Sequence, residues 1–352
     1  MDEYIDYNTG IDEKFYADSL PYSEGVQLAA HNSFSSVEDG FIHHPQQHFD
    51  VKHQFKFGAR GFMVDVYNSP NDHTLLLHNQ DLSFLSGIGS SATKTFYFED
   101  YLEDIHYLLQ KYHKSVITLI IENGKSVDSA KIRSALDNVG LSKYLLIKDP
   151  NDKEVTFGHM RNLDERLVVF LENGHKTPTN NIYTTAYYKE TTYSLEKDSQ
   201  CVDRKEGRVP FHNDKISVFV LNHFYTKSCD RNLGVTSLVK HSCFEANDYN
   251  KIVARFDLCK NEGNVPTFIA TDFIEQGDNG GPLKAIEYAN NLSGGGTSSS
   301  ISSHNLSTTS HYFSGYINLE KIIIFIAGFA TLGIPLLIYK KCAARIIKIK
   351  SD

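Results

Sequence analysis

Short apolar runs separated by turn-prone residues recur through the first 290 residues of the chain. Runs of this length are typical of buried strands, and they cover residues 25–30, 61–66, 74–77, 116–121, 167–171, 218–221 and 267–271. Between them, helical periodicity predicts helices at residues 49–57, 98–112 and 127–139, the last one followed by Gly140 as a C-terminal cap. This alternation indicates an α/β fold with a parallel sheet. Periodicity alone gives six or seven strands.

Three of the early runs end on an ionisable or amide side chain. Residues 28–30 lead into His31 and Asn32, residues 62–64 into Asp65, and residues 75–77 into His78. Because the ends of parallel barrel strands meet at one mouth, we expect these groups to converge there. Two histidines suit general acid–base work on a phosphodiester, since the pKa of histidine lies near neutral pH. The alternative is that each histidine is only a hydrogen-bonded residue at a strand end.

The segments that carry these residues resemble the X region of phosphatidylinositol-specific phospholipase C enzymes. The resemblance rests on residues 30–33, 58–65, 77–79 and 116–123, and residues 218–224 and 267–273 look like the plant-type branch of that superfamily. These motifs recur in the order and spacing of the family over about residues 24–290. The resemblance implies a TIM (β/α)8 barrel of the phospholipase C-like phosphodiesterase type, for which about 250 residues suffice.

The resemblance also implies roles for three side chains. His31 is expected to act as the general base on the inositol 2-hydroxyl, which attacks phosphorus and forms a cyclic phosphate. His78 is expected to protonate the departing diacylglycerol. Asp272 matches the aspartate with which bacterial members orient their base, a role that stabilises the imidazolium.

A cation is expected beside these groups. Bacterial members stabilise the phosphorane with an arginine at strand two, whereas eukaryotic members hold Ca²⁺. Here Asp65 stands at the arginine's place, and Asn32 and Glu122 stand where calcium ligands fall. Oxygen ligands suit a hard divalent cation, so we expect Ca²⁺, with metal-independent action as the alternative because Met63 replaces one family carboxylate.

The predicted function is cleavage of a phosphoinositide-type phospholipid at the glycerol–phosphate bond. Asn222 and His223, which end a later strand, are expected to contact this substrate. The alternatives are a glycerophosphodiester phosphodiesterase, a sphingomyelinase D-like enzyme, or a catalytically silent, membrane-tethered lipid-binding module. The net charge of −8 argues against a nucleic-acid partner. The lipid head group and the oligomeric state stay open.

The domain organisation predicts a tethered enzyme. An acidic, poorly ordered arm (1–22) precedes the barrel (23–290), and a Gly/Ser/Thr-rich linker (291–318), a transmembrane helix (319–340) and a basic tail (341–352) follow it. Basic residues after the span favour an extracytoplasmic catalytic domain, whereas the lack of a signal peptide pattern at the N-terminus favours the opposite orientation. We expect the first.

Three further groups of residues leave alternatives open. Cys201, Cys229, Cys243 and Cys259 are compatible with two disulfides, as in an exported domain, or with four buried thiols. A histidine-rich patch is expected to be a polar loop and helix face rather than a metal site, because no carboxylate or cysteine completes it; it consists of His43, His44, His48 and His53. The tyrosine-rich residues 180–193 are expected to form a barrel loop rather than a membrane or ligand contact.

Overall fold

A curled parallel sheet forms the centre of the fold. The computed structural model describes residues 10–41, 45–68, 75–77, 96–123, 127–172, 181–184, 186–193, 195, 201–202, 216–225, 229–230 and 241–292. The strands are β1 (Gln27–Ala30), β2 (Ala59–Asn68), β3 (Leu75–Leu77), β4 (Phe96–Tyr97), β5 (Ile117–Asn123), β6 (Leu167–Leu171), β7 (Tyr183–Thr184), β8 (Lys189–Glu190), β9 (Phe219–Asn222), β10 (Cys229–Asp230), β11 (His241–Ser242) and β12 (Phe268–Thr271).

The pairing of the strands follows the order of a (β/α)8 barrel. Eight strands lie in the order β7-β6-β5-β2-β1-β12-β9-β8, and every neighbouring pair is parallel. Successive strands of this set are therefore neighbours, except β7 and β8, and the first strand pairs with the last. Within the described residues the path ends at β7 and β8, so the sheet is a curled, incompletely closed barrel.

Two of these eight strands correct the sequence-based prediction. Strands β7 and β8 lie in residues 180–193, where we predicted a barrel loop. Each has only two residues, and a pair of residues shows no alternation of apolar and polar positions that could reveal a strand. The barrel prediction is confirmed in its parallel α/β sheet, and the loop prediction is wrong for these positions.

The third predicted strand differs in direction. Strand β3 pairs with β2 in antiparallel register, with Val66 opposite Leu77 and Asn68 opposite Leu75, and β4 continues the antiparallel ladder beyond β3. Strand β2 has ten residues, more than the sheet needs. Its outer end therefore pairs with a returning segment, and β3 lies outside the parallel path.

Eight helices accompany the strands in the described residues: α1 (Ile11–Phe15), α2 (Val51–Lys56), α3 (Phe98–Lys111), α4 (Ser129–Asn138), α5 (Phe157–Leu163), α6 (Cys243–Ala246), α7 (Tyr249–Asn261) and α8 (Gly281–Leu292). The three predicted helices are confirmed to within two residues as α2, α3 and α4. Side chains of Asp50, Asp128 and Asp248 accept hydrogen bonds from backbone N–H groups at the starts of α2, α4 and α7, as N-terminal caps do.

The strands are buried on both faces, which explains why they appear as continuous apolar runs. One set of alternate residues packs inside the curled sheet, and it includes Ala29, Met63, Ile120, Val220 and Ala270. The other set packs toward the helices and includes Leu28, Val64, Ile121, Leu221 and Ile269. With a side-chain period of two, the inner set continues at the strand ends into His31, Asp65, Glu122, Asn222 and Asp272.

The N-terminal segment corrects another prediction. Residues 10–20 are not a poorly ordered arm, because Ile11, Phe15 and Tyr16 are buried. Asp12 accepts two hydrogen bonds from the fully buried Arg60, at 2.9 and 2.8 Å. Burial alone would raise the pKa of Asp12, but the charge and hydrogen bonds of Arg60 outweigh it and hold that pKa below its ordinary value. Residues 1–9 lie outside the described residues.

One disulfide joins the later part of the barrel to a helix. Cys201 and Cys259, the latter in α7, form a bridge, so for these two cysteines the structure has a disulfide and not a pair of buried thiols. The side chains of Cys229 and Cys243 lie outside the described residues, as do Cys342 and the predicted linker from residue 293, transmembrane helix and basic tail. Among the helices that the structure describes, none has the length and apolar character needed to span a bilayer.

The Asp12–Arg60 pair gives a stability prediction. Asp12→Asn leaves a buried guanidinium without its counter-charge, which should lower the free energy of unfolding by about 3–5 kcal/mol. The matched control is Glu13→Gln in the same helix, because Glu13 pairs with Lys114 at 3.0 Å but both side chains are more than half exposed. This control should cost less than about 1 kcal/mol. Urea denaturation of both variants measures the difference, and equal losses would contradict the prediction.

The disulfide gives a second prediction. A bridge across 58 residues should stabilise the fold by about 4 kcal/mol on the loop-entropy estimate. Replacing Cys201 and Cys259 together by serine should therefore lower the thermal midpoint, and mild reduction of the wild type should lower it equally. Peptide mapping without reductant should recover the two cysteines in one linked fragment. Recovery of both as free thiols would refute the bridge.

Candidate active site

His31 and Asp272 follow two neighbouring strands and contact each other. Strands β1 and β12 pair up to Ala30 and Thr271. The residues that follow the two strands are His31 and Asp272, and His31 Nδ1 lies 2.7 Å from Asp272 Oδ1. Both side chains are buried, with 9% of His31 and 2% of Asp272 exposed. When Nδ1–H donates to a carboxylate, Nε2 is left as the proton acceptor. The pair therefore has the arrangement of an oriented general base.

An aromatic ring holds the plane of this imidazole. Phe224, two residues beyond the end of β9, stacks on His31 with ring centroids 3.7 Å apart and an interplanar angle of 5°. Phe224 is itself buried, so it covers one face of the His31 ring. We did not predict a role for Phe224 from the sequence. The signal for it was the period of two, because Val220, Asn222 and Phe224 alternate along the inner face.

Two carboxylates lie at the same level of the sheet on adjacent strands. Asp65 of β2 is the register partner of Glu122 of β5, and Asp65 is buried. The hydroxyl of Tyr193, which follows β8, donates a hydrogen bond of 3.1 Å to Glu122 Oε1. Strands β5 and β8 lie far apart in the strand order, so Tyr193 reaches across the mouth of the sheet.

The third predicted cation ligand stands at the next strand end. Asn32 follows β1 with a backbone φ of 41°, in the left-handed region that asparagine tolerates better than most residues. Strands β1, β2 and β5 are consecutive neighbours, so Asn32, Asp65 and Glu122 stand at three adjacent strand ends. One amide and two carboxylates form the donor set that a hard divalent cation prefers. The residues present therefore fit such a cation in donor chemistry.

Met63 occupies the inner face two residues before Asp65. It is buried and packs with the apolar residues inside the sheet. A thioether is a poor ligand for a hard cation. This position therefore contributes packing and no oxygen ligand, as expected from the sequence.

The histidine-rich patch has carboxylate partners, which we did not predict from the sequence. His53 Nδ1 lies 3.0 Å from both Glu38 and Asp50, and His48 Nδ1 hydrogen-bonds Glu275. Hydrogen bonds to Asp50 and Glu38 raise the pKa of His53 to about 9. The expectation that no carboxylate completes the patch is therefore wrong, because Glu38 and Asp50 come from flanking turns. His43 and His44 lie outside the described residues.

Within the described residues, one group of histidine and carboxylate side chains has its possible metal-ligand atoms within 4.8 Å of one another. It consists of Glu38, Asp50 and His53. Asp50 Oδ1 also accepts a hydrogen bond from the backbone N–H of His53 at 2.8 Å, and Glu38 accepts one from the N–H of Asp50 at 2.9 Å. These contacts are those of a capped helix start.

The two predicted substrate contacts differ in their placement. Asn222 lies on the inner face, and its Nδ2 donates to Glu190 Oε2 at 3.2 Å and to Thr191 O at 2.8 Å. His223 lies on the opposite face, where its Nε2 lies 2.9 Å from Ala246 O. Burial lowers the pKa of His223 to about 3. We therefore do not retain His223 as a substrate contact, because alternation along the strand turns it toward α6.

The last predicted residue, His78, lies outside the described residues. The residue before it, Leu77, is described. Leu77 is the register partner of Val66, the residue after Asp65. The antiparallel strand β3 thus carries the chain from Asn68 back toward the level of Asp65.

Comparisons with known proteins agree with this architecture. A PI-PLC X domain-containing protein of Arabidopsis thaliana is 26% identical over 292 residues, which cover 77% of this chain and 63% of the relative. The chain thus spans less than two thirds of that relative's length. PI-PLC X domain-containing protein 1 of Arthroderma benhamiae is 28% identical over 273 residues, covering 65% of this chain and 84% of the relative.

A solved structure shows the same fold. It is the phosphatidylinositol-specific phospholipase C of Staphylococcus aureus, with a TM-score of 0.50 and 14% identity over 80% of this chain and 98% of the bacterial one. The profile of the family PI-PLC X 1 matches residues 19–286, which contain all the described residues of the site. This chain therefore belongs to the PI-PLC X family.

Proposed function

We propose that this protein is a phosphoric diester hydrolase of the phosphatidylinositol-specific phospholipase C type. In this proposal it cleaves a phosphoinositide-type phospholipid at the glycerol–phosphate bond. The observation that carries the proposal is the hydrogen-bonded pair of His31 and Asp272 at the ends of β1 and β12. Membership of the PI-PLC X family and a fold shared with a bacterial phosphatidylinositol-specific phospholipase C support it.

The first step follows from the tautomer of His31. With Nδ1–H donated to Asp272, Nε2 takes the proton of the inositol 2-hydroxyl, and the resulting oxygen forms a bond to phosphorus. The bond from phosphorus to the glycerol oxygen breaks, which leaves a cyclic inositol phosphate. Asp272 stabilises the imidazolium that forms on His31. The stacked ring of Phe224 keeps that imidazolium in plane and adds a cation–π contact.

The leaving oxygen needs a proton, and we assign this to His78. The support is the path of the chain before it: Leu77 pairs with Val66, one residue beyond Asp65. Donation from His78 yields diacylglycerol with a neutral hydroxyl. The two histidines then hold opposite protonation states from those at the start, and attack of water on the cyclic phosphate in the reverse sense restores them.

Asn32, Asp65 and Glu122 would hold a divalent cation, with Ca²⁺ the best match to an all-oxygen donor set. Such an ion supplies positive charge to the phosphate as charge develops in the transition state. The support is the placement of the donors, because the two carboxylates are register partners on adjacent strands and Asn32 follows β1, the other neighbour of β2.

We also propose that the enzyme acts at a membrane, tethered by the helix predicted at residues 319–340, with its barrel on the extracytoplasmic side. The disulfide between Cys201 and Cys259 supports an oxidising compartment. A phospholipid is the partner that this placement implies.

Lipid hydrolysis tests the proposed reaction. The full chain should release inositol phosphate from phosphatidylinositol in mixed micelles, and His31→Ala should lower kcat by about 10²–10⁴-fold, the range of general acid–base catalysis. Asp272→Asn should also lower kcat strongly, since it removes the carboxylate that orients the base. The control is His53→Ala, because this histidine also contacts two carboxylates but lies in helix α2, outside the candidate site. Release of choline or glycerol from other diesters instead would favour the alternative enzymes, and no release from any diester would favour a silent lipid-binding module.

A titration with Ca²⁺ tests the cation. Chelation should abolish hydrolysis, and Ca²⁺ should restore it. Asp65→Asn should raise the Ca²⁺ concentration needed for half-maximal rate by at least about tenfold, which corresponds to about 1.4 kcal/mol. Asp50→Asn, in the other carboxylate group, should leave that concentration unchanged. His31-dependent hydrolysis that survives chelation would show that the reaction needs no metal.

A further inference from the structure

A single buried side chain connects the two strands that carry the candidate catalytic pair. Gln47 is fully buried, and its Nε2 donates hydrogen bonds to His31 O at 2.8 Å and to Thr271 O at 3.1 Å. Its Oε1 accepts a hydrogen bond from the N–H of Ile274 at 3.2 Å. One amide thus contacts the backbone of His31 and the backbone on both sides of Asp272.

These contacts require a carboxamide. Two carbonyl oxygens need two N–H donors, and the N–H of Ile274 needs an acceptor, which a glutamine amide supplies in one plane. A carboxylate would place an oxygen against two carbonyl oxygens, and an apolar side chain would leave three buried backbone groups without this partner. The orientation of the Gln47 amide is therefore determined by its neighbours.

The backbone of the bridge is itself held in place. The N–H of Gln47 donates to Ser35 O at 3.1 Å, and Gln47 O accepts from the N–H of Val37 at 3.0 Å. The N–H of Phe273 donates to Gln46 O at 2.7 Å. The amide of Gln47 is thus presented from a fixed segment, and it acts as a brace between two strand ends rather than as a mobile side chain.

Asp272 sits between two such supports. On the other side, Asn247 Nδ2 donates to Asp272 O at 2.6 Å and to Phe273 O at 2.9 Å. Phe273 has a φ of 46°, a left-handed conformation that costs a bulky residue free energy and persists only when its surroundings impose it. The chain therefore turns sharply just after the candidate catalytic carboxylate, and Gln47 and Asn247 hold it there.

We propose that Gln47 is a positioning residue that sets the distance between His31 and Asp272. Beyond the last ladder pair, Ala30 with Thr271, the two strands end and their side chains must still meet at 2.7 Å. The amide of Gln47, bonded to both His31 O and Thr271 O, holds the two backbones together one residue beyond that pair. The consequence for activity rests on the proposed function, whereas the consequence for the His31–Asp272 hydrogen bond does not.

The test uses a matched pair of variants in the full chain. Gln47→Met keeps the length of the side chain and removes all three hydrogen bonds. Gln54→Met is the control, because Gln54 is equally buried and its Nε2 also donates to two carbonyls, Ser33 O at 2.7 Å and Phe49 O at 2.6 Å, without contact to His31 or Asp272 in those bonds. If Gln47→Met does not fold, Gln47→Asn keeps the amide and shortens the reach by one methylene, and it should act in the same direction.

Two readouts separate positioning from general stability. The first is the downfield proton resonance of an imidazole Nδ1–H bonded to a carboxylate, assigned to His31 by its loss in His31→Ala. The second is the kinetics of phosphatidylinositol hydrolysis in micelles. Both Met variants should lower the thermal midpoint. Only Gln47→Met should broaden or shift the resonance and lower kcat, by about 10²-fold for a displacement near 1 Å, with KM within about twofold of the wild type.

The outcomes distinguish the two proposals. If the wild type hydrolyses the lipid and both Met variants keep its kcat and its resonance, the positioning role is refuted and the proposed function stands. If the resonance is lost only in Gln47→Met but the wild type hydrolyses no phosphatidylinositol, the positioning role stands and the proposed function fails. A wild-type spectrum without the resonance would contradict the hydrogen bond and with it the role of Gln47.

Discussion

The parallel pairing of the first barrel strand with the last is the constraint on which the site depends. It brings His31 and Asp272, 241 residues apart in the chain, within hydrogen-bonding distance. Closing a loop of that length costs only slightly more than closing a short one, because the entropic cost grows with the logarithm of length. The register of β1 with β12 decides whether the two side chains face each other. A shift of one residue would turn either side chain to the helix-facing side.

Strand β2 shows how one element separates stability from chemistry. At the start of β2, Arg60 is fully buried and forms an ion pair with Asp12. Its charge therefore stabilises the packing of the N-terminal segment and is not available to bind a phosphate. Further along β2, Asp65 is the register partner of Glu122 on β5. Further out, the strand continues past the sheet and pairs with β3. The same strand thus holds the N-terminal segment, a candidate ligand and the return of the chain toward His78.

The sequence predicted those parts of the fold that a local pattern encodes. Apolar runs located the longer strands to within two residues, since each is buried on both faces. The polar residue after a run marked His31 and Asp65, whereas Glu122 was predicted from the family resemblance. The pattern does not show the direction of a strand, so it could not distinguish the antiparallel β3 from the parallel strands. It also gave no reason to separate His223 from Asn222 as a substrate contact. Strands of two residues have no pattern at all. The partners of Gln47 lie up to 227 residues away, and no local signal records them. The role of His78 and the membrane helix stay predictions.

A general base, the role proposed for His31, needs a fixed ring, and three different contacts restrain this side chain. The stacked ring of Phe224 limits rotation out of one plane, and Asp272 selects the tautomer and the rotation within that plane. Neither contact restrains the backbone from which the side chain starts. That restraint comes from the ladder to β12 and from the amide of Gln47, which holds His31 O and Thr271 O together. The plane of the His31 ring, its rotation within that plane and the position of its backbone are thus each determined by a separate contact. The direction of Nε2 therefore follows from the fold and does not need a substrate to organise it.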